Sequence, residues 1–321
     1  MKKYVIELEV LSSVILSPRD QNAFYKGMDF DQEELTNTNV NIIYPFYQYG
    51  IYEKYIPHLS KNNFCSSGEH GAEKIQYHIP GSSIKGAIFG TSKKGEKNVR
   101  NALMVDDIKV DSNDIVLKHI YKLQDVTQFH ITKEKNPKNI KTENKEESKI
   151  PELNVFFPNV GIQMLKPQVK LKGQIFYDET QKDSATLEKI LKQTDEQSRQ
   201  KLKQLQTRIE KIYEITGNIQ NRYKEGILNH LNFMKMAIQD LLYGTSNGTY
   251  LLILGGYKGL LMSKIFDNTL QDSIKSGIYL DVEKISGKSN EKTENFKGTF
   301  LPYGLVRLEL SLYTNQKERE S

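Results

Sequence analysis

The sequence predicts an α+β fold, and three observations predict it. Apolar and polar residues alternate near both ends of the chain, helical periodicity fills 183–243, and two short apolar runs each lead through a glycine-bearing loop into a helix. The chain has 321 residues, long for one simple domain and short for three, so two packed lobes or one elaborated domain are expected. Hydrophobic residues make up 37% of it, enough to build a core. No apolar run is long enough to cross a bilayer, so no membrane is expected among its partners.

The elements follow in order. Tyr4, Ile6, Leu8 and Val10 alternate with Val5, Glu7, Glu9 and Leu11, the period of a strand with one buried face. Glu7 and Glu9 also interrupt what would otherwise resemble a signal peptide after Met1-Lys2-Lys3. A turn is expected at Ser17-Pro18-Arg19-Asp20, and 24–63 reads as mostly loop with short strands or one short helix. Residues 77–79 form a strand that meets Pro80-Gly81-Ser82-Ser83, with a cap at Ser82 or Ser83 and a helix whose apolar face is Ile84, Ala87 and Ile88. Segments 103–110 and 115–123 read as a hairpin around Asp111-Ser112-Asn113-Asp114. The stretch 132–148, nearly devoid of apolar residues, reads as a mobile surface loop.

Strand character returns at 155–157 and 169–177. Leu202, Leu205, Ile209 and Ile212, then Ile227, Leu231, Met234, Ile238 and Leu241, recur at helical spacing and give a helical hairpin broken at Gly217-Asn218. Residues 250–254 form a strand running into Gly255-Gly256-Tyr257-Lys258-Gly259, after which 260–266 is helix-compatible. The last strand is 304–313, followed by a charged, frayed tail. The division drawn from this is an N-terminal lobe, 1–178, and a lobe of helical hairpin and glycine loop, 179–321.

Charge and cysteine usage narrow the function. The net charge of +5 permits a polyanionic partner without demanding one. The single cysteine, Cys65, allows no intramolecular disulfide, and with no secretory signal the expected compartment is the cytoplasm. The sequon Asn247-Gly248-Thr249 is then idle. Cys65, His70 and His78 match no zinc spacing, Asp106, Asp107, Asp111 and Asp114 could gather a divalent ion but read more simply as solvated turn carboxylates, and His119 reads as an ordinary strand imidazole. Neither a cofactor nor a metal is expected. Gly81 and Gly86 have P-loop spacing, but Ala87-Ile88 stand where Lys and Ser or Thr are required, and the second glycine loop fails the dinucleotide pattern. No nucleophile–base grouping is legible; Asp20 is the one carboxylate worth testing for nuclease chemistry.

Two constellations suit nucleic acid. Gly81, Ser82, Ser83, Lys85 and Gly86 set backbone N–H groups, two hydroxyls and an ammonium at a helix start, as a phosphate would require, although a plain solvated cap explains them equally well. Gly255, Gly256 and Gly259 permit close backbone approach, while Tyr257 and Lys258 offer a stacking ring and a charge; a tight structural turn is the bland alternative.

The run Ile79-Pro80-Gly81-Ser82-Ser83-Ile84-Lys85-Gly86-Ala87-Ile88 closely resembles the signature of the RAMP superfamily, the RNA-binding proteins of CRISPR systems. Ile108-Lys109-Val110-Asp111-Ser112, Leu254-Gly255-Gly256-Tyr257-Lys258-Gly259-Leu260 and Leu301-Pro302-Tyr303-Gly304 are similar, in order, to segments of the terminal RAMP subunit of type III-A (Csm) effector complexes. The loop Ser17-Pro18-Arg19-Asp20-Gln21-Asn22 departs from that pattern in lacking a small, glycine-containing sequence. The resemblance implies ferredoxin-like (RRM-like) lobes with a helical insertion, single-stranded guide RNA (crRNA) and other RAMP subunits of a type III complex as partners, and a non-catalytic role near the guide's 3′ end. The alternatives are a catalytic RAMP endoribonuclease, acting through an aspartate such as Asp20 or through a histidine, and an RNA-independent scaffold.

Overall fold

The computed structural model describes residues 1–16, 23–30, 39–49, 76–90, 100–124, 151–180, 186–219, 221, 224–244, 248–264, 277–285 and 296–313. The first strand, β1 (Lys2–Val10), is followed by the short strands β2 (Phe24–Tyr25), β3 (Ile42–Tyr44) and β4 (Gln48–Tyr49). Strand β5 (Gln76–Ile79) runs directly into helix α1 (Gly81–Phe89). Then come β6 (Leu103–Val105), β7 (Ile108–Val110), a 3₁₀ turn at Ser112–Asp114, β8 (Ile115–Lys118), β9 (Tyr121–Gln124), β10 (Glu152–Val155), β11 (Val160–Leu165) and β12 (Lys170–Tyr177). Helices α2 (Leu187–Gly217) and α3 (Lys224–Tyr243) form the helical hairpin. Strand β13 (Thr249–Ile253) leads to the single-turn helix α4 (Gly259–Ser263), and β14 (Ile278–Leu280), β15 (Val282–Lys284), β16 (Phe296–Gly298) and β17 (Leu305–Leu312) complete an α+β fold.

The main sheet has the order β13-β17-β1-β12-β6, and every neighbouring pair is antiparallel. It takes strands from both sides of residue 178. β1 lies at its centre, with Ile6 opposite Gly173 and Leu310, and Leu8 opposite Leu171 and Leu308. The period-2 pattern therefore does what it predicts: Tyr4, Ile6, Leu8 and Val10 are buried, while Glu7 and Glu9 lie on the opposite, partly exposed face. Ile84 and Ile88 of α1 and Leu187, Ile190 and Leu191 of α2 pack into the same core as these strand residues.

A second core joins the rest of the helical hairpin to the β10-β9-β14 sheet, through Leu202, Leu205, Ile209, Leu231, Met234 and Ile238 against Leu123, Leu153 and Leu280. The Thr186 hydroxyl caps α2 by accepting from the Lys189 N–H at 3.3 Å. α2 ends at Gly217, at the expected break. Arg199 Nη1 donates to the carbonyls of Leu241 and Leu242, both at 3.2 Å, which satisfies acceptors that the end of α3 leaves free.

Several expectations need correction. The hairpin across 103–123 does not form: β6 pairs with β12, β7 with β5, β8 with β11, and β9 with β10 and β14. Asp111 accepts from the Asn113 N–H at 2.8 Å and sets up a 3₁₀ turn that redirects the chain between sheets. Phe156 and Phe157 lie in the turn after β10 rather than in a strand, and the second glycine-loop helix stops at Ser263. β11 escapes a pattern search because Gly161 to Leu165 are buried without interruption, so nothing alternates. The turn at Ser17 to Asp20, Cys65, His70, the 132–148 loop, Asn247 of the sequon and the charged tail beyond residue 313 lie outside the described residues.

Candidate nucleic-acid interface

The two glycine-bearing segments, some 170 residues apart in sequence, meet at one cavity of about 280 Å³. Ser83 and Gly86 of α1 line one side, and Gly255, Gly256, Tyr257 and Lys258 line the other. Ile15, Leu16 and Tyr47 close it, with the Tyr47 N–H donating to the Leu16 carbonyl at 3.2 Å.

α1 is placed by what surrounds its start. Pro80 occupies the cap position without a side-chain cap, and neither Ser82 nor Ser83 takes over that role. The Gly81 N–H instead donates to Asp107 Oδ1 at 2.6 Å, so a carboxylate already occupies the first free donor of the helix. A Cβ on Gly81 would collide with the Val105 carbonyl, which is why this residue is glycine. At the other end of α1 the Thr194 hydroxyl of α2 donates to the Ile88 carbonyl. Ser82 is exposed. Lys85 is partly buried and held rather than free, unlike the cation of a simple cap: its Nζ donates to the Leu103 carbonyl at 2.7 Å, and burial, with the Arg100 charge adding, lowers its pKa.

The second segment is held by three stacked chain ends. The Gly256 N–H donates to the Ile15 carbonyl at 2.8 Å, the Leu254 N–H to the Gly304 carbonyl at 2.7 Å, and the Gly304 N–H to the Ser13 carbonyl at 3.0 Å. Gly255 has φ +86° and sits against the Ile15 carbonyl, so conformation and space both demand glycine. Gly259 has φ +76°, and a Cβ there would press on the Tyr279 ring at 3.2 Å. The Ser13 end is fixed by Asp281, a fully buried carboxylate that accepts from the Ser13 N–H at 2.7 Å and the Ser13 hydroxyl at 2.8 Å.

Gly86 and Gly256 differ from these glycines. Neither has positive φ; a Cβ on Gly86 would meet nothing within 4 Å, and one on Gly256 would come no closer than 3.9 Å to the Ile15 carbonyl. Packing explains neither, and both face the cavity.

Lys258 supplies the charge. Its Nζ donates to the Ile253 carbonyl at 2.9 Å. Burial, with the Lys201 ammonium of α2 adding repulsion, pushes its pKa down to about 8. Burial also lowers the pKa of Lys201. Among the described residues neither amine is paired with a carboxylate, the environment an anion would relieve. Tyr257 adopts φ +53°, an uncommon conformation for a residue with a side chain, and its ring meets Phe157 edge-on at 6.4 Å.

Sequence reasoning missed Ile15, Leu16, Tyr47, Lys201 and Asp281. The turn carboxylates it weighed for metal binding have separate tasks: Asp107 holds Gly81, Asp111 caps the 3₁₀ turn, and Asp114 pairs with Lys166 at 3.1 Å. His119 Nδ1 lies 3.1 Å from the Val160 carbonyl. Among the described residues no three His, Cys, Asp or Glu side chains gather as metal ligands would, and no helix is long and apolar enough to cross a membrane.

No protein-family model matches the chain, and no curated protein matches it. Among solved structures, a chain of a Csm–crRNA–target RNA ternary complex from a type III-A CRISPR-Cas system, determined by cryo-EM, is similar at a TM-score of 0.39. The identity is 13%, over 96% of this chain and 100% of that one.

Proposed function

We propose that this chain binds single-stranded RNA at the cavity between α1 and the 255–259 loop, as a non-catalytic crRNA-binding subunit of a type III CRISPR effector complex. In this reading it holds the guide backbone near its 3′ end beside other RAMP subunits, in the cytoplasm. One observation carries the RNA-binding part: Gly86 and Gly256, two glycines of the cavity lining that neither conformation nor packing requires, open onto the same cavity as Lys258. A glycine inside a helix costs about 0.5–1 kcal/mol relative to alanine, so Gly86 is retained against the stability of α1. Bare backbone on two sides, the Ser83 hydroxyl and a half-buried ammonium make a receptor for a sugar-phosphate chain, with Tyr257 and Tyr47 in the lining beside it. Such contacts grip RNA with little regard to sequence.

The RAMP assignment rests on the sequence signature at 79–88 and is supported by chain order. Strands β17-β1-β12-β6, with α1 following β1 and α2 following β12, have the split βαβ arrangement of a ferredoxin-like unit, to which β13 adds an edge. Gly81, Lys85 and Gly259 then serve the site by shaping α1 and the loop, while Ser82 stands exposed on α1 outside the cavity lining. The test is native purification of the full chain from its own cells. A discrete small RNA should accompany it, together with further RAMP subunits; protein recovered in assemblies free of RNA would overturn the proposal.

A further inference from the structure

Helix α3 carries two seams, and its packing in the fold uses one. Ile227, Leu231, Met234, Ile238 and Leu241, spaced four and three residues apart, pack it into the core shared with α2 and the β10-β9-β14 sheet. Gly226, Asn229, Phe233, Met236, Asp240 and Tyr243 repeat the same alternation of three and four on a face where all but Gly226 are exposed. Phe233 is 51% exposed, Met236 53% and Tyr243 78%. Neighbours hold two of these side chains in place: the Phe233 ring lies 5.3 Å from that of Phe300, and the Asn232 amide donates to Met236 Sδ at 3.8 Å. Charge is sparse on this face. Glu225 and Asp240 are the only exposed ionisable residues of α3, whereas α2 sets Glu188, Lys189, Lys192, Glu196 and Lys203 in solvent. Among the described residues Asp240 enters no ion pair.

We propose that this seam joins two copies of the chain, α3 against α3 in antiparallel order about a two-fold axis midway between Phe233 and Met236. The inference does not depend on what the cavity binds. The occupant follows from the seam's fit to itself. An isologous contact sets each residue against a different one of the other copy, and the three pairs made here are matched. Phe233 faces Met236 of the second copy, a ring against a thioether, at the centre and again across the axis. Asn229 faces Asp240, so an amide N–H donates to a carboxylate that lacks a partner within its own chain. Gly226 faces Tyr243, and the missing side chain leaves room for the most exposed ring of the helix. Parallel pairing would set Asp240 against Asp240 and Tyr243 against Tyr243, which selects the antiparallel order. A surface of Phe, Met and Tyr with few charges is also the composition of a protein contact, and Asp240 and Glu225 would repel a nucleic acid.

The experiment is sedimentation equilibrium of the full chain over a concentration series. The parent should show a monomer–dimer equilibrium, and Met236→Glu, at an exposed site, should weaken it at least tenfold with an unchanged circular dichroism spectrum. Asn229→Asp should also weaken it, by setting carboxylate against carboxylate twice. Adding Asp240→Lys to Asn229→Asp should restore it. Residues 229 and 240 stand three turns apart on one helix, too far to meet within a chain, so that rescue comes only across an antiparallel seam. A parent that stays monomeric up to its solubility limit refutes the proposal, as does a dimer indifferent to Met236→Glu. Weakening by both single variants without rescue refutes the antiparallel pairing. If the isolated chain is monomeric and Met236→Glu instead releases a different protein from natively purified material, the face belongs to that protein and the proposal fails.

Discussion

A lysine amine held near a pKa of about 8 is charged at neutral pH and largely neutral one to two pH steps higher, and Lys258 is such an amine. Its folded value lies below the ordinary 10.5, so between about 8 and 10.5 the unfolded chain binds more protons and stability rises with pH. RNA binding should run the other way, because the phosphate needs the cation. Affinity at fixed ionic strength should fall as pH climbs through 8, by roughly tenfold or more when one charged hydrogen bond is lost. Lys258→Met should bind weakly throughout and lose that pH step; an unchanged step would remove Lys258 from the site. The glycines divide on the same logic. Gly86→Ala should raise the unfolding temperature, through about 0.5–1 kcal/mol of added helix stability, while reducing RNA affinity. Gly255→Ala, forced into positive φ against the Ile15 carbonyl, should cost about 1–3 kcal/mol. Unfolding and RNA binding measured on the same samples check both. The glycines were legible because a glycine run between a strand and a helix is a local signal. Lys201 was not: Gln200-Lys201-Leu202-Lys203 looks like any solvated helix face until α2 is packed beside the loop.

Elements set by their own period were legible, and those set by a distant partner were not. β1, α1, the helical hairpin and β17 each carry a buried stripe that the chain writes within a few residues. Asp111 to Asp114 announce a turn equally clearly, but turn chemistry does not say which strand waits on the other side, and the flanking strands go to different sheets. Lys85 shows the same limit: its sequence reads as a free cation at a helix start, whereas its ammonium fastens α1 to β6 at Leu103. Lys85→Ala should therefore lower stability by about 0.5–1.5 kcal/mol and leave the salt dependence of RNA binding unchanged. Lys258→Ala should reduce that slope by about one. A salt titration of both variants decides it, and a reduced slope for Lys85→Ala would return that amine to the RNA.

Across the whole molecule, the α+β class was readable from alternation and helical period, while the meeting of the two glycine segments is a property of how two separate sheets pack together. β5 pairs in the β4-β5-β7 sheet and β13 at the edge of the main sheet centred on β1, and the core in which Ile84 and Ile88 of α1 join Tyr250 and Leu252 of β13 brings their ends together. That centre has a consequence for how the protein comes into being. One side of β1 is joined by β12, but the other waits for β17, whose Arg307 meets Glu9 across 298 positions of sequence at 2.7 Å. During synthesis β1 is made long before its partner β17, so that edge stays open to foreign strands while the segment between them emerges. Contacts of such separation make closure slow, and the cavity between α1 and the 255–259 loop, whose wall needs Ile15 bonded to Gly256, cannot exist until that late zipper is within reach.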